Sequence, residues 1–324
     1  MRRKNNSKKR LSGRVIGLAL GVLLGVCIMV VCVLGSARLS AMHGSVRAQL
    51  FVITHVTPTQ KPLGVYEWRH LQDIVTTDDS AMLTDLHRHG YNTLYLAIDD
   101  ALVAPDQAAY QTQLAQFIDR ASKAGLQVWG LAGDPSWVAS NNTGRSVGVL
   151  QFAAHFNATQ SAKLAGLSFD IEPYSQQTMT ASKFSTALLP VIDALGQETQ
   201  QNNLSLPLNI TLPFWARADD ALLTHISRLP HNSVTVMAYR NHTDGPDGSI
   251  ALATPLVTAA GRLRMPVYIA QDITRQTPAK ITFYLANRTT FRAHLYALDA
   301  AFTHRQNYRG IIINDLQNLE IKKP

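Results

Sequence analysis

The sequence predicts an α/β fold, a (β/α)8 TIM barrel preceded by an N-terminal transmembrane helix. Two observations predict the barrel. From residue 62 onward, eight short apolar runs rich in β-branched and aromatic residues alternate with seven longer helical patterns. These units cover about 255 residues, close to the usual barrel size of about 250. A third observation predicts the transmembrane helix: residues 15–35 are 21 residues without a charge, and they follow a basic tail.

Residues 1–14 read as a basic cytoplasmic tail. They hold Arg2, Arg3, Lys4, Lys8, Lys9, Arg10 and Arg14 and no acid. The whole chain carries a formal charge of +8, but taking these seven from the 30 basic residues leaves 23 against 22 acidic. The rest of the chain is therefore nearly neutral, and a nucleic-acid partner loses its main support.

Residues 15–35 are expected to anchor the chain. At about 1.5 Å per residue they span a roughly 30 Å hydrocarbon core, and the lipid bilayer is the partner this implies. The basic flank should stay in the cytoplasm, giving a single-pass protein of the cell membrane with an extracellular barrel. The run is longer than the apolar part of a cleavable signal peptide, usually about 7–15 residues. Gly35-Ser36-Ala37 offers a cleavage site, so release after Ala37 is the alternative. Both cysteines, Cys27 and Cys32, lie in this run, so the exported part has neither disulfides nor thiol chemistry. Residues 36–61 read as a linker or stalk.

Residues 62–324 are the expected barrel domain. Strands are predicted at 63–66, 91–98, 126–132, 164–171, 208–212, 233–238, 265–270 and 310–313, with helices near 79–88, 105–124, 145–157, 178–201, 219–228, 249–263 and 289–305. Pro105-Asp106 opens the second helix and Ala124-Gly125 closes it. Strands alternating with helices imply a parallel sheet. An open doubly wound sheet would want a Gly-rich phosphate loop after the first strand, and Gly64-Val65-Tyr66-Glu67-Trp68 is not one.

A barrel builds its site at the C-terminal ends of its strands. Those ends carry Glu67 and Trp68, Asp99 and Asp100, Asp134, Asp170 and Glu172, Trp215, Tyr239 and Arg240, Gln271 and Asp272, and Asn314 and Asp315. Acids and amides bind hydroxyl groups, and indole or phenol rings stack on sugar faces, so a carbohydrate cleft is expected. Taken singly, Asp99, Asp100 and Asp134 suit caps or turns. Trp129 and Trp137 suit packing, while Trp68 and Trp215 are better placed for stacking.

The fourth run is the most informative. In Gly166-Leu167-Ser168-Phe169-Asp170-Ile171-Glu172-Pro173, strand alternation puts Ser168, Asp170 and Glu172 on one face. Two neighbouring acids at the end of an apolar strand resist ionisation together, as acid catalysis requires.

Ala165-Gly166-Leu167-Ser168-Phe169-Asp170-Ile171-Glu172 resembles the fourth-strand signature of family 18 glycoside hydrolases, the chitinase-like barrels. That signature is Asp-x-x-Asp-x-Asp-x-Glu. Asp170 and Glu172 match its last two acids, while Ala165 and Ser168 replace its first two. Val236-Met237-Ala238-Tyr239 is similar to the sixth-strand Met-x-Tyr-Asp, with Arg240 in place of the final Asp. The resemblance implies a retaining, substrate-assisted hydrolase of an N-acetylhexosamine polysaccharide. Glu172 would then be the general acid/base, Asp170 would orient the acetamido group and raise the pKa of Glu172, and Tyr239 would bond the acetamido oxygen. Glu67, Trp68, Asp99, Trp215, Met237, Arg240, Gln271 and Asn314 would bind the substrate.

Two departures bear on activity. Ser168 cannot share a proton with Asp170, and a cation at Arg240 could pair with Asp170 or Asp272, or meet an anionic group of the substrate. A non-catalytic, lectin-like barrel is the second reading, and a metal-dependent nuclease or phosphodiesterase the third. No cofactor or metal is expected; His87 and His89, two residues apart, do not share a helix face.

Overall fold

The computed structural model describes residues 61, 63–75, 79–139, 142–218 and 220–321. The expected tail, membrane span and linker, with both cysteines, lie outside these residues except for Lys61. Among the described residues, no helix is long and apolar enough to cross a membrane.

Eight parallel strands close into one barrel in sequence order. They are β1 (Leu63–Glu67), β2 (Tyr91–Ala97), β3 (Gln127–Ala132), β4 (Leu167–Phe169), β5 (Leu208–Pro213), β6 (Ser233–Met237), β7 (Val267–Asp272) and β8 (Tyr308–Asn314). Each pairs with the next, and β8 returns to β1 with Leu63 beside Ile311. Each predicted strand has its counterpart. The fourth is shorter than expected, but single ladder bonds continue it at both ends: Leu167 N–H to the Pro207 carbonyl and Asp170 N–H to the Ala132 carbonyl. Pro173, which opens a short turn, then prevents further pairing.

The helices are α1 (Leu71–Val75), α2 (Asp79–Arg88), α3 (Gln107–Lys123), α4 (Gly144–Thr159), α5 (Ala181–Gln201), α6 (Asp220–Ile226), α7 (Ser249–Arg262), α8 (Arg288–Phe302) and α9 (Leu316–Ile321). All seven predicted helices are present. The five-residue α1 and six-residue α9 were not expected, because neither is long enough to display a helical period. Capping explains several boundaries. Asp106 accepts the Ala109 N–H at 2.9 Å to open α3, and Asn287 accepts the Thr290 N–H at 2.8 Å to open α8. Gly125 ends α3 with φ of +85°, a conformation that favours glycine.

Strand alternation divides the interior in two. Val65, Leu94, Leu96, Leu167, Phe169, Ile171, Leu208, Ile210, Val234, Val236, Ile269, Ile311 and Ile313 point outward and pack against the helices in one large core. The inward positions form a second cluster of Tyr66, Tyr95, Leu131 and Ile312, with Trp68, Trp129 and Tyr268 at its edges. Trp129 and Trp137 are packing residues, as expected. Phe169 is fully buried between β4 and the helices, and its truncation to Ala would cost about 3–5 kcal/mol. That outward anchor fixes which face of β4 presents Asp170 to the barrel.

Candidate active site at the strand ends

Asp170 and Glu172 follow β4 on its inward face. Glycine at 133 lets the neighbouring chain close on them: a Cβ there would lie 1.8 Å from the Asp170 carbonyl oxygen. Oδ1 of Asp170 is sealed from solvent and has no hydrogen-bond partner. Burial, and after it the charge of Glu172, push the Asp170 carboxyl well above the usual range. Burial also raises Glu172, but the Tyr174 hydroxyl donates to its Oε1 at 2.5 Å and offsets part of the rise. Of the two acids, Glu172 thus receives a hydroxyl donor, while Asp170 Oδ1 receives none.

Tyr174 was not foreseen. It stands two residues past Glu172 in the turn opened by Pro173, and the signal was an aromatic residue placed directly after the paired acids. Its ring packs edge-on against Trp215 at 5.1 Å between centroids, and its hydroxyl also reaches the Met237 sulfur at 3.8 Å. Trp215 and Met237, both expected to touch substrate, therefore support the tyrosine that holds Glu172.

Tyr239 follows β6, two residues past Met237. Burial raises its hydroxyl well above the ordinary value, and the charges of Asp170, Asp272 and Glu172 add to the rise. Carboxyls from the ends of β4 and β7 thus act electrostatically on one phenol. Asp272 is 1% exposed. It accepts Asn314 Nδ2 at 2.8 Å and Thr274 Oγ1 at 2.9 Å, and the Asn314 Oδ1 accepts the Trp68 indole N–H at 3.0 Å. Burial pushes Asp272 up to about 6 against the lowering effect of Asn314 and Thr274.

Below the acids the barrel axis is polar. Ser168 Oγ donates to Asn209 Oδ1 at 3.0 Å, Thr235 Oγ1 donates to the same oxygen at 2.9 Å, and Asn209 Nδ2 donates to Ser233 at 2.9 Å. The Ser168 hydroxyl thus turns away from Asp170, in keeping with the unpartnered Asp170 oxygen.

Four expected substrate ligands are corrected. Gln271 is fully buried on the outward face of β7; its amide donates to the Ala238 and Ala270 carbonyls and accepts from His294 at 3.0 Å. Glu67 has the outward parity of β1 and is 1% exposed, with its carboxylate chelated by the Arg69 backbone and guanidinium. Arg240 does not meet Asp170 or Asp272. Its guanidinium donates to Asp247 at 2.7 and 3.0 Å, donates to the Tyr239 carbonyl at 2.6 Å, and lies over the Phe214 ring at 5.3 Å. Asp99 opens the turn after β2 and is raised by burial; its charged neighbours are Asp100 and His70, away from the acid cluster. Asp134 and Asp315 serve as caps, accepting the Ser136 and Asn318 N–H groups, and Asp100 accepts the Tyr110 hydroxyl at 2.7 Å.

The fold and site define a (β/α)8 barrel with paired acids at the mouth of its fourth strand. The sequence matches no protein-family model and no curated protein sequence. Its fold is similar to that of a glycoside hydrolase family 5 enzyme from Prevotella bryantii B14, solved with a xyloglucan tetradecasaccharide (TM-score 0.52, 13% identity, 80% of this chain and 91% of that one). It is likewise similar to a broad specificity GH5-4 endoglucanase from an uncultured bacterium (TM-score 0.52, 14% identity, 82% and 88%) and to a rice β-glucosidase (TM-score 0.50, 9% identity, 80% and 90%). These likenesses show the TIM-barrel fold. The family named among them is 5, so the narrower resemblance to family 18 rests on the two strand motifs alone.

Proposed function

We propose that this protein is a glycoside hydrolase that cleaves an N-acetylhexosamine-containing polysaccharide by a retaining, substrate-assisted mechanism, with Glu172 as proton donor. One observation carries the reading: beside Glu172, the inward-facing Asp170 keeps a buried oxygen with no partner. A buried acceptor in that state costs about 1–3 kcal/mol unless a ligand donor satisfies it.

The acetamido N–H of a bound sugar is such a donor. In the free protein the proton resides on Asp170 and Tyr174 favours ionised Glu172. Donation from the sugar to Asp170 Oδ1 favours ionised Asp170 instead, and the proton passes to Glu172. Glu172 then gives it to the glycosidic oxygen as the bond from that oxygen to C1 breaks, while the acetamido carbonyl oxygen bonds to C1. The Tyr239 hydroxyl hydrogen-bonds that carbonyl oxygen and orients it towards C1. Water next adds to C1, Glu172 takes its proton, and the bond from C1 to the acetamido oxygen breaks. Two inversions leave the configuration at C1 retained. This route needs no second acid at Ser168, because the handover is driven by the ligand.

Residues 15–35 would hold the barrel at the outer face of the membrane, a reading supported by their uncharged length behind a basic tail.

The test uses the full chain in detergent, N-acetylhexosamine polymers, glucans and xyloglucan, and a reducing-end assay. Wild type should release product from the N-acetylated polymers, and Glu172→Gln should lose at least about 100-fold. Equal release by both sinks the assignment of Glu172. Binding without cleavage by wild type makes the protein a glycan-binding barrel instead.

A further inference from the structure

Asp272 is a buried acid that the proposed reaction does not use. It faces the barrel mouth from the end of β7, on the same parity as Ala270, while Gln271 points outward. Its Oδ1 accepts from Asn314 Nδ2 at 2.8 Å, and both its oxygens are within 3.0 Å of Thr274 Oγ1. Asn314 sits directly across the β7–β8 ladder from Asp272. An asparagine amide has one donating and one accepting end, and only one orientation serves both neighbours here. With the amide nitrogen on the carboxylate, the carbonyl must face β1, where the Trp68 indole N–H donates to it at 3.0 Å. Trp68 is then held from two sides, by Asn314 at its nitrogen and by Tyr66 edge-on at 6.0 Å.

We propose that Asp272 is a positioning residue: through Asn314 it fixes the Trp68 indole as an apolar wall against which the sugar ring entering the Glu172 site is stacked. This rests on the glycoside hydrolase reading above. The direction of the chain matters. A carboxylate is an acceptor only, so it dictates the orientation of Asn314, which dictates the position of the indole N–H. A neutral amide at 272 can donate as well as accept and removes that constraint, while leaving the volume of the side chain unchanged.

The experiment is made on the full chain, labelled with fluorotryptophan, which carries four tryptophans. The Trp68 fluorine line is the one lost in Trp68→Phe. Asp272→Asn and Asn314→Leu should each move that line and leave the other three in place. In the reducing-end assay, both variants should raise KM about tenfold, the effect of losing one well-placed contact, with kcat nearly unchanged. Adding Asp272→Asn to Trp68→Phe should raise KM no further, since both act on the same wall. An unmoved Trp68 line overturns the proposal. So does a fall in kcat at constant KM, which signals a smaller folded fraction and no positioning role. If wild type cleaves none of the polymers, the hydrolase reading fails separately, and glycan affinity read by tryptophan quenching replaces KM. An affinity unchanged by Asp272→Asn, or no binding at all, then overturns the proposal.

Discussion

The Tyr174 hydroxyl donates to Glu172 Oε1 at 2.5 Å, whereas the buried Oδ1 of Asp170 has no partner. Two acids separated by one residue thus differ in their hydrogen bonding. Removing the donor should displace the Glu172 titration upward, since the Tyr174 hydrogen bond lowers it. In Tyr174→Phe the alkaline limb of the kcat profile, where Glu172 of the complex loses its proton, moves to higher pH. An alkaline limb that stays in place in a pH-rate series would show that this contact does not tune the acid.

The raised acids also make stability depend on pH. Asp170, Glu172 and Asp272 all bind their protons more tightly in the folded chain than in the unfolded one. Their contribution is fully present below the unfolded carboxyl value and is lost as pH rises through the folded one. For Asp272 the window runs from 3.8 to about 6, worth about 3 kcal/mol at about 1.4 kcal/mol per unit. Asp170→Asn should therefore melt above wild type at pH 7.5, with the gap closing towards pH 4. Thermal melts across that range check it, and a gap that is constant with pH would contradict it.

Gly133→Ala should be far more harmful than a surface substitution. The new methyl group would meet the Asp170 carbonyl oxygen at 1.8 Å, so one of the two backbones must move. A loss of at least about 2 kcal/mol, together with reduced turnover in the folded fraction, is expected from overpacking at this contact. Denaturant unfolding and kcat measured on the same samples provide the check.

Arg240→Gln should lower stability and leave the pH profile in place. Its partners are Asp247, the Tyr239 carbonyl and the Phe214 ring, none of which is a reacting acid. A shift of either limb of the profile would place the guanidinium charge nearer Glu172 than the structure does.

The alternation that identified the fourth run was legible in the sequence, and so was the order of the eight strands. Apolar periodicity is a local signal, and parallel pairing follows from it. The orientation of residues at the other strand ends was equally available. Gln271 shares the outward parity of Ile269, and Glu67 that of Val65, so the same rule selects Asp272 and Trp68 in their place. What the sequence could not reveal lay in tertiary contacts. The ion pair of Arg240 with Asp247 crosses a loop, and the Tyr174–Trp215 packing joins two strand ends. Neither leaves a periodic trace.

The polar ladder beneath the acids has one more consequence. A proton travels along hydroxyl groups only where each one accepts from one neighbour and donates to the next. Here the Ser168 and Thr235 hydroxyls both donate to the single oxygen of Asn209, and their hydrogens meet head-on. The Asn209 oxygen therefore relays no proton between Ser168 and Thr235. With a ligand across the mouth, a proton leaving Asp170 finds no relay through Asn209, which leaves Glu172 as its nearer acceptor in the proposed reaction.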